Sequence, residues 1–173
     1  MRLTFTLPES RGAATLNVEI DHLVIAGWTG RDREAILHHI RELAELGVPQ
    51  PSAIPLFYRV AANQLSQQET IEVIGNATSG EAEPLIFAHR GELFVSLASD
   101  HTDRQLEAHS VALSKQICVK PVARAAWPLQ EVLEHWDSLI LRSWIKEEGE
   151  WRLYQQGSLA ALRTPGDLLE RYF

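Results

Sequence analysis

Cysteine, methionine and long apolar runs are the scarcest features of this 173-residue sequence. The single cysteine, Cys118, cannot form an internal disulfide, so a reducing compartment is the expected environment. No apolar run reaches the roughly 18–20 residues that a membrane helix needs. The opening residues are too polar, and their apolar run too short, for a signal peptide. These features predict a cytoplasmic protein that has no membrane partner.

Basic residues are also few. The sequence has 16 lysines and arginines against 23 aspartates and glutamates, which gives a formal net charge of −7. An acidic protein repels phosphate backbones, so this balance argues against nucleic acid as a partner. The hydrophobic fraction of 45% is ordinary for a globular protein, and the length favours one domain.

Alternating apolar residues predict strands near the amino terminus. The pattern occurs at 2–7, 14–20 and 22–28, which indicates an antiparallel meander or a pair of hairpins. A helix is predicted over 32–47, because Asp32 is a suitable N-cap and Gly47 a suitable stop. Strand patterns return at 54–61, 70–75 and 83–98, and the last contains a hairpin turn at 89–91.

The second half of the chain mixes helix and strand patterns. Helices are predicted at 103–117 and 129–138, strands at 139–145 and 151–157, and a last helix after the N-cap Thr164. The mixture predicts an α+β fold with a strand-rich, β-roll or barrel-like sheet. We treat 1–173 as a single domain with three parts. They are 1–50 (strands and the first helix), 51–121 (the core of the candidate site) and 122–173 (helix and strands).

Three acidic residues form the most informative pattern. Glu81 and Glu83 are two positions apart, so on a strand their side chains lie on the same face. Such carboxylates raise each other's pKa unless a cation lies between them, and Mg²⁺, Mn²⁺ and Ca²⁺ prefer oxygen ligands. Asp100 follows the next strand, and a hairpin would bring it beside the pair, with Asp103 as its substitute. A solvated acidic face is the alternative interpretation.

The segments around these acids resemble the core of the fumarylacetoacetate hydrolase superfamily. The residues that carry the resemblance are "GEAEPLI" at 80–86, "SDHTDRQLEAHSVALSKQ" at 99–116 and "PLFYRV" at 55–60. The chain is closer still to an uncharacterised bacterial family of this kind, with "GWTGRD" and "GVPQPS" as further hallmarks. The first resemblance implies a sheet of the same type as in those hydrolases.

The resemblance also implies a divalent metal centre. Its ligands would be Glu81, Glu83 and Asp100, and the cation would be Mg²⁺, with Mn²⁺ or Ca²⁺ as alternatives. The implied activity is that of a hydrolase or lyase acting on a small oxo acid or 1,3-diketone. The reaction would be C–C cleavage, decarboxylation or isomerisation through an enolate. Members of the superfamily commonly form homodimers, so a homodimer is expected.

Other residues of the same segments receive supporting roles. Lys115 takes the place of the family lysine and would add positive charge beside a developing oxyanion. Arg104 matches the family pattern Asp-x-(Ser/Thr)-x-Arg, and we expect it to hold Asp100 or a neighbouring carboxylate by a bidentate contact. His101 and His109 are candidate general bases, with a solvent-facing histidine as the alternative for each.

One family feature has no counterpart in this sequence. The hydrolases carry a Gly-Thr-Pro-x-Gly-x-Gly-like loop that lines the substrate pocket, and nothing here matches it. Because the chain also ends at Phe173, the expectation is a relative truncated at its C-terminus. Two classes of function therefore stay open, a metal-dependent enzyme and a non-catalytic binding or structural module.

Overall fold

Short strands make up most of the regular structure in the computed structural model, which describes residues 1–8 and 12–173. The strands in these residues are Arg2–Thr6 (β1), Thr15–Glu19 (β2), Leu23–Gly27 (β3), Leu56–Val60 (β4), Leu65–Ser66 (β5), Thr78–Ser79 (β6), Ala82–His89 (β7), Glu92–Ser99 (β8), Thr102–Asp103 (β9), Lys120–Pro121 (β10), Trp127–Pro128 (β11), Ile140–Glu147 (β12) and Glu150–Ser158 (β13). The α-helices are Arg33–Glu45 (α1), Arg104–Glu107 (α2), Val111–Gln116 (α3), Leu129–Leu133 (α4) and Pro165–Tyr172 (α5). Short 3₁₀ turns occur at Ala62–Gln64, Trp136–Ser138 and Leu159–Ala161.

The first two strands form the predicted amino-terminal hairpin. Strand β1 pairs antiparallel with β2, and its alternate residues Leu3 and Phe5 are buried. Strand β3 pairs antiparallel with β4, which follows α1 in the chain. The three strands are therefore confirmed, but the third does not continue a meander with the second.

Helix α1 begins and ends where the sequence indicates. The Asp32 carboxylate accepts hydrogen bonds from the backbone N–H groups of Glu34 and Ala35, at 2.9 and 3.1 Å. This contact satisfies N–H groups that have no partner within the helix. Gly47 has φ of +89°, the left-handed conformation that commonly stops a helix.

A long hairpin of β7 and β8 runs through the centre of the fold. The pairing extends from Ala82 opposite Ser99 to His89 opposite Glu92. Arg90 and Gly91 both have positive φ, as a tight two-residue hairpin turn requires, so the predicted hairpin is confirmed. The short strand β11 pairs with the other edge of β8, which leaves β7 at the edge of this three-stranded sheet.

Two apolar clusters hold these elements together. The larger cluster joins β1, β2, β3 and β4 to one face of the β7–β8 hairpin, and the rings of Phe5 and Phe87 stack with centroids 4.3 Å apart. The smaller cluster packs Val95 of β8 against Leu129, Trp136 and nearby residues. The hairpin is thus covered on both faces, which fixes the position of its ends.

Three predicted elements differ from the structure. The helix predicted at 129–138 ends at Leu133 as α4, and a separate 3₁₀ turn follows at Trp136–Ser138. Residues 70–75 form no strand, and the side chains of Val73 and Ile74 are exposed, because no neighbouring strand pairs with this segment. The predicted helix at 103–117 is two short helices, α2 and α3. Ser110 breaks it, since its backbone is extended and its hydroxyl caps α3 by accepting from the N–H of Leu113.

The architecture is a strand-rich α+β fold. Most strand pairs in residues 1–8 and 12–173 are antiparallel, whereas β5 and β10 pair in parallel, so the fold is mixed. Within the described part of the chain, the paired strands form six small sheets of two or three strands each. Among the described helices, none has both the length and the apolar character required to cross a bilayer.

Candidate metal centre

The three predicted metal ligands meet at one end of the β7–β8 hairpin. Glu81 directly precedes β7, Glu83 lies on it, and Asp100 directly follows β8. The backbone N–H of Asp100 donates to the carbonyl oxygen of Glu81 at 2.9 Å, which ties the two strands together at this point. One carboxylate oxygen from each residue lies within 4.8 Å of the others. Hairpin pairing therefore brings together residues that are 17 to 19 positions apart in the sequence.

Asp100 is the buried member of the cluster, and two buried lysines surround it. The side chains of Lys115 and Lys120 each form an ion pair with its carboxylate, Lys115 with Oδ2 and Lys120 with Oδ1 at 3.1 Å. Lys115 is only 6% exposed and Lys120 only 2%. Lysines this deeply buried require a negative partner, which Asp100 supplies.

The Asp100 carboxylate has lone pairs that its lysine partners do not use. Oδ2 accepts a hydrogen bond from Nζ of Lys115. Oδ1 is buried and forms an ion pair with Nζ of Lys120, which lies 3.1 Å away. A carboxylate offers about four lone-pair sites, so an ion pair with lysine leaves room for a further ligand contact.

Lys120 also belongs to the cluster, and it was not predicted from the sequence. Besides its contact with Asp100, its Nζ donates a hydrogen bond to the carbonyl oxygen of His101. Burial lowers its pKa from the ordinary value, and the Asp100 carboxylate opposes that effect. A signal was present, since Lys120 is the only charged residue in the apolar run from 117 to 122. A charge in such a run indicates a buried lysine with a partner.

Lys115 occupies the predicted place beside the carboxylates. It lies on α3, and besides Asp100 its Nζ lies 3.4 Å from the hydroxyl oxygen of Thr102. The ring of Tyr58, on β4, lies beneath the ammonium group with its centroid 5.8 Å from Nζ. This distance is within the range of a cation–π contact, so Tyr58 helps to hold the charge in place.

Arg104 forms the outer part of the cluster. Its Nη2 lies 3.0 Å from Oε1 of Glu81, so the neighbouring carboxylate that it holds is Glu81. Its Nε donates to the hydroxyl of Ser79 at 2.7 Å, and its Nη1 donates to Glu107 at 3.1 Å. The guanidinium therefore contacts three partners and does not form the predicted bidentate contact with one carboxylate. Its contact with Glu81 fixes the position of that side chain.

Glu83 carries the largest electrostatic perturbation in the site. Its pKa is raised to about 8, first by burial and then by the negative charges of Asp100 and Glu81. The lysines act in the opposite direction but do not cancel the effect. Without additional positive charge, this carboxyl group is mostly protonated at neutral pH. A cation beside it would favour the ionised form.

His101 lies next to the cluster and packs tightly. Its Nδ1 is 3.0 Å from the hydroxyl oxygen of Ser99, and its pKa is lowered by burial and by the charge of Lys120. A Cβ atom at Gly80 would lie 2.5 Å from Cε1 of His101, so the imidazole requires a glycine there. His109, the other candidate base, is exposed at the end of α2.

Asp103, the substitute ligand, has a structural role instead. Its carboxylate caps α2 by accepting from the backbone N–H groups of Gln105 and Leu106 at 3.0 and 2.9 Å. The group of carboxylates close enough to share a cation contains Asp100 and leaves Asp103 out.

The fold and the site together define a strand-rich α+β protein with a buried carboxylate–lysine centre at a hairpin end. The chain belongs to the family described as "Protein of unknown function (DUF2848)", whose model matches residues 26–173. No curated protein matches the chain.

One similar solved structure is described as "Crystal structures of Cg1458". It matches with a TM-score of 0.65 and 14% sequence identity, over 88% of this chain. At this identity the likeness concerns the fold alone. The chain spans 58% of the length of that solved chain.

Proposed function

We propose that this protein is a divalent-metal-dependent hydrolase or lyase of the fumarylacetoacetate-hydrolase type that acts on a small oxo acid or 1,3-diketone. The observation that carries the proposal is the convergence of Glu81, Glu83 and Asp100 within 4.8 Å, with Asp100 buried beside two lysines. A merely solvated acidic face would not bury Asp100 between two lysines.

The donor set fits a hard divalent cation. All three groups are carboxylates, and Mg²⁺ and Ca²⁺ are bound in proteins through oxygen ligands. The raised pKa of Glu83 reflects a shortage of positive charge at its position, which a cation would supply. Mg²⁺ is the cation we propose, and Mn²⁺ and Ca²⁺ are the alternatives.

The charges of the site favour an anionic substrate. The site contains four carboxylates and three side-chain cations, counting Glu107, which forms an ion pair with Arg104. With all of them ionised the site has one net negative charge, and a divalent cation turns this into one net positive charge. An oxo acid carries a carboxylate that such a site attracts.

The bound cation would supply Lewis acidity for an enolate-forming reaction. Lys115 and Lys120 keep two positive charges fixed next to Asp100, where they can stabilise negative charge that develops on a substrate oxygen. Lys120 has a lowered pKa and can give a proton more readily than an ordinary lysine.

His101 is the group proposed to accept a proton. Its lowered pKa keeps the imidazole neutral at neutral pH, which is the form a general base needs. Ser99 contacts Nδ1 and helps to orient the ring, while Gly80 has no side chain and so leaves room for the imidazole. Arg104 acts through Glu81 as a positioning residue.

The remaining expectations belong to the same proposal. We propose a cytoplasmic homodimer, by analogy with the superfamily that the sequence resembles. The buried thiol of Cys118 agrees with a reducing environment but does not require it.

Thermal unfolding in the presence and absence of Mg²⁺ or Mn²⁺ tests the metal site. A cation that binds only the native state stabilises it by about 2.7 kcal/mol at 100 times its Kd, which corresponds to roughly 5–10 °C for a chain of this size. We expect this rise in wild type and its loss in Glu83→Gln. Glu92→Gln, an exposed glutamate on β8, is the matched control and should keep the rise.

Turnover assays then separate the enzyme from a binding module. Oxaloacetate and acylpyruvates are suitable probes, since both are oxo acids that can form enolates. Metal-dependent turnover that Glu83→Gln abolishes would support the enzyme. A metal-dependent rise in Tm without turnover would favour the non-catalytic module, and no rise at millimolar metal would contradict the site itself.

A further inference from the structure

Gln155 contacts the metal centre through a backbone group that lies between two of its proposed ligands. Its side-chain Oε1 accepts a hydrogen bond from the N–H of Ala82 at 2.8 Å, and its Nε2 donates to the carbonyl oxygen of Ala82 at 3.1 Å. Ala82 is the residue between Glu81 and Glu83. One side chain therefore satisfies both polar backbone groups of this residue.

The contact replaces a missing strand. At Ala82, β7 is the edge of its sheet, with β8 on one side only. Edge strands expose unpaired N–H and C=O groups, which a neighbouring strand would normally bind. The carboxamide of Gln155 offers one acceptor and one donor, so it forms the same pair of hydrogen bonds that a neighbouring strand would form.

The local geometry of the β12–β13 hairpin places Gln155 there. Ser143 pairs with Gln155 and Trp144 pairs with Leu153, so Tyr154 is an extra residue on β13. An extra residue of this kind is a β-bulge, which bends the strand and redirects the side chains beside it. The Ser143 hydroxyl donates to Oε1 of Gln155 at 3.2 Å, which favours the amide orientation that Ala82 requires.

We propose that Gln155 is a positioning residue that fixes the relative orientation of the Glu81 and Glu83 carboxylates for cation binding. The proposal rests on the metal site of the proposed function. A rotation of the backbone at Ala82 would move both flanking side chains, whereas productive ligand geometry tolerates shifts of only about 0.5 Å. Partners of this indirect kind typically change metal affinity by roughly 10–100-fold.

The two hard cations differ in how strictly they depend on ligand geometry. Mg²⁺ requires nearly octahedral coordination, while Ca²⁺ accepts six to eight oxygens in flexible arrangements. Loss of a positioning contact should therefore weaken Mg²⁺ binding more than Ca²⁺ binding. A general loss of stability would not change the ratio of the two affinities.

Isothermal titration of the full chain with Mg²⁺ and with Ca²⁺ tests the proposal in wild type, Gln155→Met and Gln156→Met. Methionine keeps the approximate size of glutamine but cannot form the paired hydrogen bonds. Gln156 is the matched control, because it is an exposed neighbour whose side chain contacts only Arg142, at 2.8 Å, among the described hydrogen bonds. We expect Gln155→Met to raise the Kd for Mg²⁺ by about tenfold or more, and the Kd for Ca²⁺ by clearly less. Gln156→Met should bind both cations as wild type does.

The possible results separate the inference from the proposed function. If wild type binds neither cation, the metal site is refuted and the inference falls with it. If wild type binds Mg²⁺ and Gln155→Met has the same affinity, or loses both cations in equal proportion, only the positioning role is refuted. Should Gln155→Met fail to fold, Ser143→Ala serves instead, since it loosens the amide without removing it. Ser143→Ala should weaken Mg²⁺ binding relative to Ca²⁺ binding, and an unchanged ratio would refute the inference.

Discussion

Substitution of Glu83 by glutamine should make the metal-free protein more stable, with a pH dependence that identifies the cause. The pKa of Glu83 is about 8 in the folded protein against an ordinary value of 4.5. Between these pH values the folded protein binds more protons at Glu83 than the unfolded chain does. Wild-type stability therefore decreases as the pH rises through this range, by the linkage between proton binding and folding. Glutamine cannot ionise, so the stability of the variant does not fall with pH for this reason.

The size of the effect follows from the shift. Between the pKa of Glu83 in the unfolded chain and its pKa in the folded protein, the wild type loses up to about 1.4 kcal/mol of unfolding free energy for each pH unit. Part of the Glu83 side chain remains accessible to solvent, which makes the effect smaller than the full shift implies. We therefore expect the free energy of unfolding of Glu83→Gln to be higher than that of wild type by about 2 kcal/mol at pH 7 and about 3 kcal/mol at pH 8. Below pH 4.5 the two proteins should be equally stable, since both states then hold the proton.

Urea unfolding in the presence of EDTA at several pH values measures this difference. The control is Glu92→Gln, for which we expect a change within about 0.5 kcal/mol at every pH, as for most exposed substitutions. A Glu83→Gln variant that is less stable than wild type at pH 8 would contradict this explanation. That result would mean that the Glu83 carboxylate is favourable in the folded protein without any cation.

Two further substitutions test the surroundings of the site. Asp100→Asn removes the carboxylate between Lys115 and Lys120, and breaking a buried ion pair in this way costs about 3–5 kcal/mol. Urea unfolding checks this, and a loss below about 1 kcal/mol would contradict the pairing. Gly80→Ala places a Cβ atom within 2.5 Å of Cε1 of His101. We expect a loss of about 1–3 kcal/mol and a shifted imidazole NMR signal, whereas an unchanged signal would show that the ring is not confined.

Sequence periodicity predicted the elements that form by local rules. The Asp32 cap of α1, the Thr164 cap of α5 and the turn at Arg90 and Gly91 all depend on residues close in the sequence. The segment 70–75 has strand-like residues as well, but strand formation requires a neighbouring strand. Local pattern cannot show whether that partner exists, so this prediction was wrong.

The residues of the candidate site also fall into two groups, those that local sequence patterns predict and those that they do not. Glu81, Glu83 and Asp100 could be placed together because alternation and one hairpin suffice to bring them close. Lys120 comes from a two-residue strand with no periodic signal of its own. Gln155 arrives through a bulge in a distant hairpin, and nothing in its neighbourhood in the sequence marks it. The lone charge of Lys120 in an apolar run was its one sequence signal, whereas the role of Gln155 becomes visible only in the folded chain.

Diffraction from crystals soaked in Mn²⁺ bears most closely on whether the metal centre exists. Anomalous difference density collected at the manganese absorption edge locates the cation without assumptions about the ligands. We predict one strong peak within coordination distance of Glu81, Glu83 and Asp100, and its loss in Glu83→Gln crystals. A well-ordered site without a peak, or with manganese only elsewhere on the protein, would contradict the proposed metal centre.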